Sequence, residues 1–162
     1  MAIFSGVVVA GRGMAGGHVS RHMEELSVIT RQALFPGSLN VVLDKPLNLD
    51  SRCAATFDHG NRFVWEASIG RRRVWLYRWK GMPFTIVEIL ADCRLRDVME
   101  LVNGSRVDIA ISNDVVAPLG FRHRLSSFLL WGLGRKYLYY SHRYPSGRKV
   151  MFLRKRMGDG QS

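Results

Sequence analysis

The chain has 162 residues, 47% of them apolar, which is enough for one domain with its own core and far from the composition of a disordered or fibrous chain. Its formal charge of +11 is unevenly spread: residues 1–112 carry 14 Lys and Arg against 11 Asp and Glu, and residues 113–162 carry 10 against 2, so the C-terminal part suits a polyanion such as nucleic acid, anionic lipid headgroups or an acidic partner. The longest apolar run near the C-terminus, residues 128–133, is far short of the roughly 20 residues of a membrane helix, so no transmembrane segment is expected. Cys53 and Cys93 form no close-spaced pair and no secretory-signal pattern stands at the N-terminus, which makes a reducing cytoplasm the expected compartment.

Taken in chain order, residues 3–10 read as a buried strand, followed by the glycine-rich stretch Gly11-Arg12-Gly13-Met14-Ala15-Gly16-Gly17. Residues 21–32 have helical periodicity, with Met23, Leu26, Ile29 and Ala33 on one side. Pro36-Gly37 marks a turn before a short strand over 40–43, and the polar stretch 49–61 reads as an exposed loop. Residues 62–69 and 73–77 alternate as a hairpin turned at Gly70. Residues 84–90 form an apolar strand with Glu88 embedded in it, and 95–101 make one or two helical turns. Asn103-Gly104 supplies a turn into a closing strand over 107–111. Many short strands with one or two short helices give a mainly β chain folded as a small barrel. Beyond residue 112 lies a basic extension, with an amphipathic helix over 121–133 and two strands flanking the turn Tyr144-Pro145-Ser146-Gly147.

Two stretches carry chemistry. After the Pro36-Gly37 reversal, Ser38 and Asn40 are two residues apart on an extended segment and point to the same side, so a hydroxyl and an amide oxygen can share one Mg2+. The glycine-rich stretch follows the β-branched run Val7-Val8-Val9, and its backbone N–H groups can face an anion without side-chain obstruction. Other features carry less: His18 and His22 have helical i, i+4 spacing but no third ligand, and Arg71-Arg72-Arg73 sits at the hairpin tip as a solvated turn.

Colinear blocks carry a family resemblance: Gly6 to Gly13, then Phe35-Pro36-Gly37-Ser38-Leu39-Asn40-Val41-Val42-Leu43-Asp44, then Val87-Glu88-Ile89-Leu90-Ala91, then Arg94-Leu95-Arg96, then Asn103-Gly104-Ser105-Arg106-Val107. Over about residues 4–112 the chain resembles the CTP-dependent riboflavin kinases, small six-stranded barrels of the cradle-loop type, which transfer the γ-phosphate of CTP to riboflavin and give FMN and CDP. The resemblance implies a kinase-like barrel over 1–112 with residues 113–162 as a separate extension. It places Gly11, Arg12, Gly13, Met14, Ala15 and Gly16 on the nucleotide phosphates, with Cys93, Arg94, Leu95 and Arg96 on the segment that holds the nucleotide. Ser38, where the family usually has Thr, and Asn40 would bind Mg2+. Glu88 matches a carboxylate that contacts the flavin, and near the acceptor hydroxyl it would orient that hydroxyl ahead of accepting its proton. Lys80 stands where the family has Thr, and its ammonium suits an anionic or phosphorylated acceptor.

The expected activity is therefore a Mg2+-assisted, CTP-dependent kinase acting on riboflavin or a related small alcohol. Two other classes compete with it. One is a non-catalytic sensor of pyrimidine nucleotides, and the other is a nucleic-acid-binding barrel, for which the strongly basic balance speaks.

Overall fold

The structure, a computed structural model, describes residues 1–11 and 14–120. Seven strands run in chain order as β1 (Ala2–Val9), β2 (Leu39–Leu43), β3 (Ala55–Phe57), β4 (Arg62–Ile69), β5 (Arg72–Trp79), β6 (Ile86–Leu90) and β7 (Arg106–Ile111). Three helices accompany them: α1 (Met14–Arg21), α2 (Met23–Thr30) and the single turn α3 (Leu95–Val98). Six strands pair antiparallel in the order β4-β5-β6-β2-β1-β7, and β7 returns to β4 to close the barrel. β4 makes this closure possible by using both edges. One edge pairs with β5 from Arg62 to Ile69. The other is divided between β3, which takes Arg62, Phe63 and Val64, and β7, which takes Ala67 and Ser68.

Strand alternation sorts the side chains. Val8, Val41, Trp65, Ala67, Val74, Leu76, Val87, Ile89 and Ile109 point inward and form the barrel core. A barrel of so few strands is filled by its own side chains, so it leaves no interior for a ligand. The outer face carries a second core where α1 and α2 cover it: Val19, Leu26 and Leu34 meet Phe57, Val64, Trp75, Tyr77 and Leu90. β6 is therefore buried along its whole length, on both faces. On β4 the outward Val64 is buried under this second core, while Glu66 further along is exposed.

The mainly β reading with a small barrel and short helices holds, and several boundaries differ. The helix expected over 21–32 is the shorter α2 (Met23–Thr30), which a turn at His22 separates from α1 and which ends where Arg31 turns left-handed (φ 52°). Ala33 therefore lies beyond the helix and is exposed, and Leu34 takes the buried place. The stretch expected to be an exposed loop over 49–61 contains a 3-10 turn, Ser51–Cys53, and the strand β3. Phe57 of that strand is only 1% exposed. The hairpin tip is not simply solvated: Arg72 reaches Asp92 at 3.3 Å, and Arg73 makes two hydrogen bonds to Glu66 while stacking over Trp75. Residues past 112 continue against the barrel, since Leu49 bridges Val116 and the Asn48 amide donates to the Pro118 carbonyl. The helix and hairpin expected over 121–154 lie outside the described residues. No helix among the described residues is long and apolar enough to cross a membrane.

Arg78 closes one end of the barrel. It follows the inward Val74 and Leu76 on β5 and is 5% exposed. Its guanidinium donates to the carbonyls of Leu47 (2.6 Å), Phe84 (3.0 Å) and Ile86 (3.1 Å), tying β5 to the connection after β2 and to the start of β6. Burial lowers its pKa to about 10, so it stays charged at neutral pH. Removing the guanidinium takes this donor from the Leu47 and Ile86 carbonyls, each worth roughly 1–3 kcal/mol, whereas the Phe84 carbonyl keeps the Leu47 amide as a donor. Arg78→Leu is expected to cost at least about 2 kcal/mol in urea denaturation, and Arg78→Lys, whose point charge lacks the fork, should recover only part of it.

Candidate functional site

The register of the sheet builds a row of outward-facing residues across five strands. Val64 pairs with Tyr77, Tyr77 with Glu88, Glu88 with Asn40, and Asn40 with Val9. Ser38, two residues before Asn40, lies on the same side, and its Oγ donates to Glu88 Oε2 at 2.9 Å. Ser38, Asn40 and Glu88 thus form one patch although Glu88 is far from the other two in sequence. Glu88 is 7% exposed. Its burial pushes the carboxyl up to about 7, against the opposing pull of the Ser38 hydroxyl and, more weakly, of Arg62.

The segment after β1 frames this patch. Gly11 lies so close to Asn40 that a Cβ there would sit 2.3 Å from the Asn40 amide nitrogen. Gly16 faces the other side of the patch, where a Cβ would lie 3.6 Å from the Pro36 carbonyl oxygen. Gly11 thus lies at Asn40 and Gly16 at the Pro36-Gly37 turn. Arg12 and Gly13 lie outside the described residues. Met14, Ala15, Gly16 and Gly17 are not loop, as the sequence suggested, but the start of α1. The amides available there are those of a first helical turn, which have no intrahelical acceptor. Of the two glycines in this turn, Gly16 stands at ordinary contact distance from the Pro36 backbone and Gly17 faces open space.

Beside the patch a cleft of about 190 Å³ is lined by Phe35, Gly37, Ser38, Cys93, Arg94 and Arg96, among others. Leu95 belongs to the barrel core, so its backbone is the part it can offer a ligand. Arg96 donates to the Val9 carbonyl (2.8 Å) and the Asn103 amide oxygen (3.0 Å), which ties α3 to the end of β1 beside Gly11. Arg94 is exposed and reaches Asp97 at 3.4 Å. Burial raises the Cys93 thiol above its ordinary range. Lys80 stands apart. It is exposed in the turn after β5, three residues beyond the Tyr77 that pairs with Glu88, a separation of about 10 Å along the strand.

A polar chain that sequence reasoning did not assemble runs to the helices from Tyr77, the strand partner of Glu88. Arg62 donates to the Tyr77 hydroxyl, to Asp58 (2.7 Å) and to His18 Nδ1 (3.1 Å). Asp58 also lies 3.7 Å from His22, whose other ring nitrogen is 3.4 Å from Glu25. Each of the two histidines clasps a helix to a different group at the start of β4. Burial and then Arg62 hold His18 below the ordinary imidazole range, as its acceptor role toward two guanidiniums requires. The signal in sequence was the i, i+4 pair Asp58 and Arg62 at a turn.

No protein-family model matches this chain, and no curated protein matches it. Among the described residues no group of three His, Cys, Asp or Glu gathers as a metal centre. The hydroxyl, amide and carboxylate of Ser38, Asn40 and Glu88 are hard oxygen donors, which fit Mg2+ and not a soft metal.

Two outcomes follow. The folded chain keeps a proton on Glu88 that the unfolded chain gives up above about pH 4.5, so stability is expected to fall as pH rises through the interval up to about 7. At about 1.4 kcal/mol per unit this amounts to at most about 3.5 kcal/mol. Urea midpoints at pH 5 and 8 should show this slope in the native chain and a flatter profile in Glu88→Gln. Gly11→Ala should displace the Asn40 side chain and cost about 1–3 kcal/mol, read by denaturation and by a shift of the Asn40 amide resonance.

Proposed function

We propose that the protein is a CTP-dependent kinase of the riboflavin kinase type, which passes the γ-phosphate of CTP to riboflavin or a related small alcohol in the cytoplasm. One observation carries this reading: Gly11, Ser38, Asn40 and Glu88 come together beside a cleft that Cys93, Arg94 and Arg96 also line. These are the segments whose chemistry and order suggested a nucleotide site, and they meet in one place on the barrel's outer face.

Phosphoryl transfer asks mainly for positioning and charge compensation. Ser38 and Asn40 would hold Mg2+, which when bound offsets charge on the phosphates. The first-turn amides of α1, beyond Gly11, would face the phosphate oxygens, as helix N-termini do in anion sites. The cleft between the Pro36-Gly37 turn and Cys93–Arg96 would take the nucleoside, with backbone of that segment against the cytosine edge and Arg94 free to swing from Asp97 toward phosphate. Glu88 would orient the acceptor hydroxyl, and a carboxyl that titrates near 7 is also suited to accept its proton. Lys80 would meet only a part of the acceptor remote from the reacting hydroxyl. The basic residues of 113–162 add attraction for a polyanion.

Purified protein with Mg2+ and CTP, ATP, GTP or UTP, with and without riboflavin, tests the reading by FMN and nucleoside diphosphate formation. FMN is expected with CTP alone and should drop roughly 100-fold or more in Asn40→Ala. CTP binding without FMN would move the reading to another alcohol or to a nucleotide sensor. No CTP binding, together with salt-sensitive nucleic-acid binding that survives Asn40→Ala, would replace it with the nucleic-acid reading.

A further inference from the structure

We propose that Glu88 is itself a ligand of the divalent cation and bridges it to the acceptor hydroxyl. This rests on reading the patch as a phosphoryl-transfer site and gives Glu88 a task beyond contact with the acceptor.

The geometry is that of neighbouring coordination positions. Asn40 and Glu88 are direct partners on antiparallel strands, which sets their Cβ atoms about 4.5–5.5 Å apart on one face. The Ser38 hydroxyl and Glu88 Oε2 lie 2.9 Å apart. An octahedral cation with ligands at about 2.1 Å has adjacent ligand oxygens about 3.0 Å apart, so a cation that meets Ser38 Oγ finds Glu88 Oε2 at a neighbouring vertex once the hydroxyl proton rotates away. The second carboxylate oxygen then remains for the acceptor.

Charge argues the same way. Ser38 and Asn40 are neutral donors, and two neutral oxygens hold a strongly hydrated divalent cation poorly. Glu88 is the carboxylate of this patch, it is almost wholly buried, and among the described residues no Lys, Arg or His lies within ion-pair distance of it. A buried carboxylate without a counter-charge is costly. A divalent cation on Ser38 and Asn40 supplies that charge where the strand register has placed the carboxylate.

Mn2+ binding to the full chain, followed by loss of the free-ion EPR signal with and without CTP, is the test. Glu88→Gln keeps an acceptor for the Ser38 hydroxyl and should weaken Mn2+ binding at least tenfold in both conditions, while circular dichroism stays native. Unchanged Mn2+ affinity in Glu88→Gln overturns the proposal, and if CTP still binds, the kinase reading survives alone. Glu88-dependent Mn2+ binding in a chain that does not bind CTP supports the cation site and removes the kinase reading. Should Glu88→Gln fail to fold, native chain carrying 13C-carboxyl glutamate answers the question. Selective broadening of the Glu88 carboxyl by substoichiometric Mn2+ supports the assignment, and broadening confined to the exposed glutamates overturns it.

Discussion

Closure of the sheet on β4 is the constraint from which the rest follows. β4 gives one edge entirely to β5 and divides the other, so that two residue pairs to β7 suffice to make a ring. Once the ring closes, every strand has one face inward, and the inward face is filled by branched and aromatic side chains. Function has to be built on the outside or at the rims. An outward polar group on such a barrel ordinarily meets water. Here a second core under α1 and α2 buries much of the outer face of β3 to β6, so the outward Glu88 sits in a low-dielectric setting and holds its proton near neutrality. An outward carboxyl is thus buried on a sheet that the helices cover.

Much of the fold was legible because its signals are local. Alternation located β1, β2, β4, β5 and β7 to within a residue or two, and Gly70 and Gly104, both with positive φ, marked their turns. What could not be read was set by distant contacts. β3 is three residues long, too short for alternation to show, and Phe57 is buried by Tyr77 and His22 from other elements. α1 escaped notice because Gly16 and Gly17 stand in its first turns, and the break at His22 goes with the approach of that ring to Asp58 in the turn after β3.

The patch divides in the same way. That Ser38 and Asn40 share a face follows from strand periodicity alone. That Glu88 stands against them follows from the register of β2 on β6, which no spacing within either strand reveals. Glu88 does point outward, as alternation allows, yet outward here is not toward solvent. Lys80 lies outside this row. The turn at Gly81 sets it at the end of the β5–β6 hairpin, while Tyr77, Glu88 and Asn40 stand side by side on three paired strands.

The patch and its cover also belong to one mechanical unit. Gly11 rests on Asn40, and the chain that leaves Gly11 becomes α1, whose His18 is held by Arg62. The same guanidinium holds the Tyr77 hydroxyl, and Tyr77 is the strand partner of Glu88. Through His18, Arg62 and Tyr77, α1 is thus tied to the strand partner of Glu88. Arg96 adds a second tie by holding the Val9 carbonyl just before Gly11. Strand register on one side and two arginine clasps on the other hold Gly11, Asn40 and Glu88 in place relative to one another, the preorganisation that any site dependent on positioning needs.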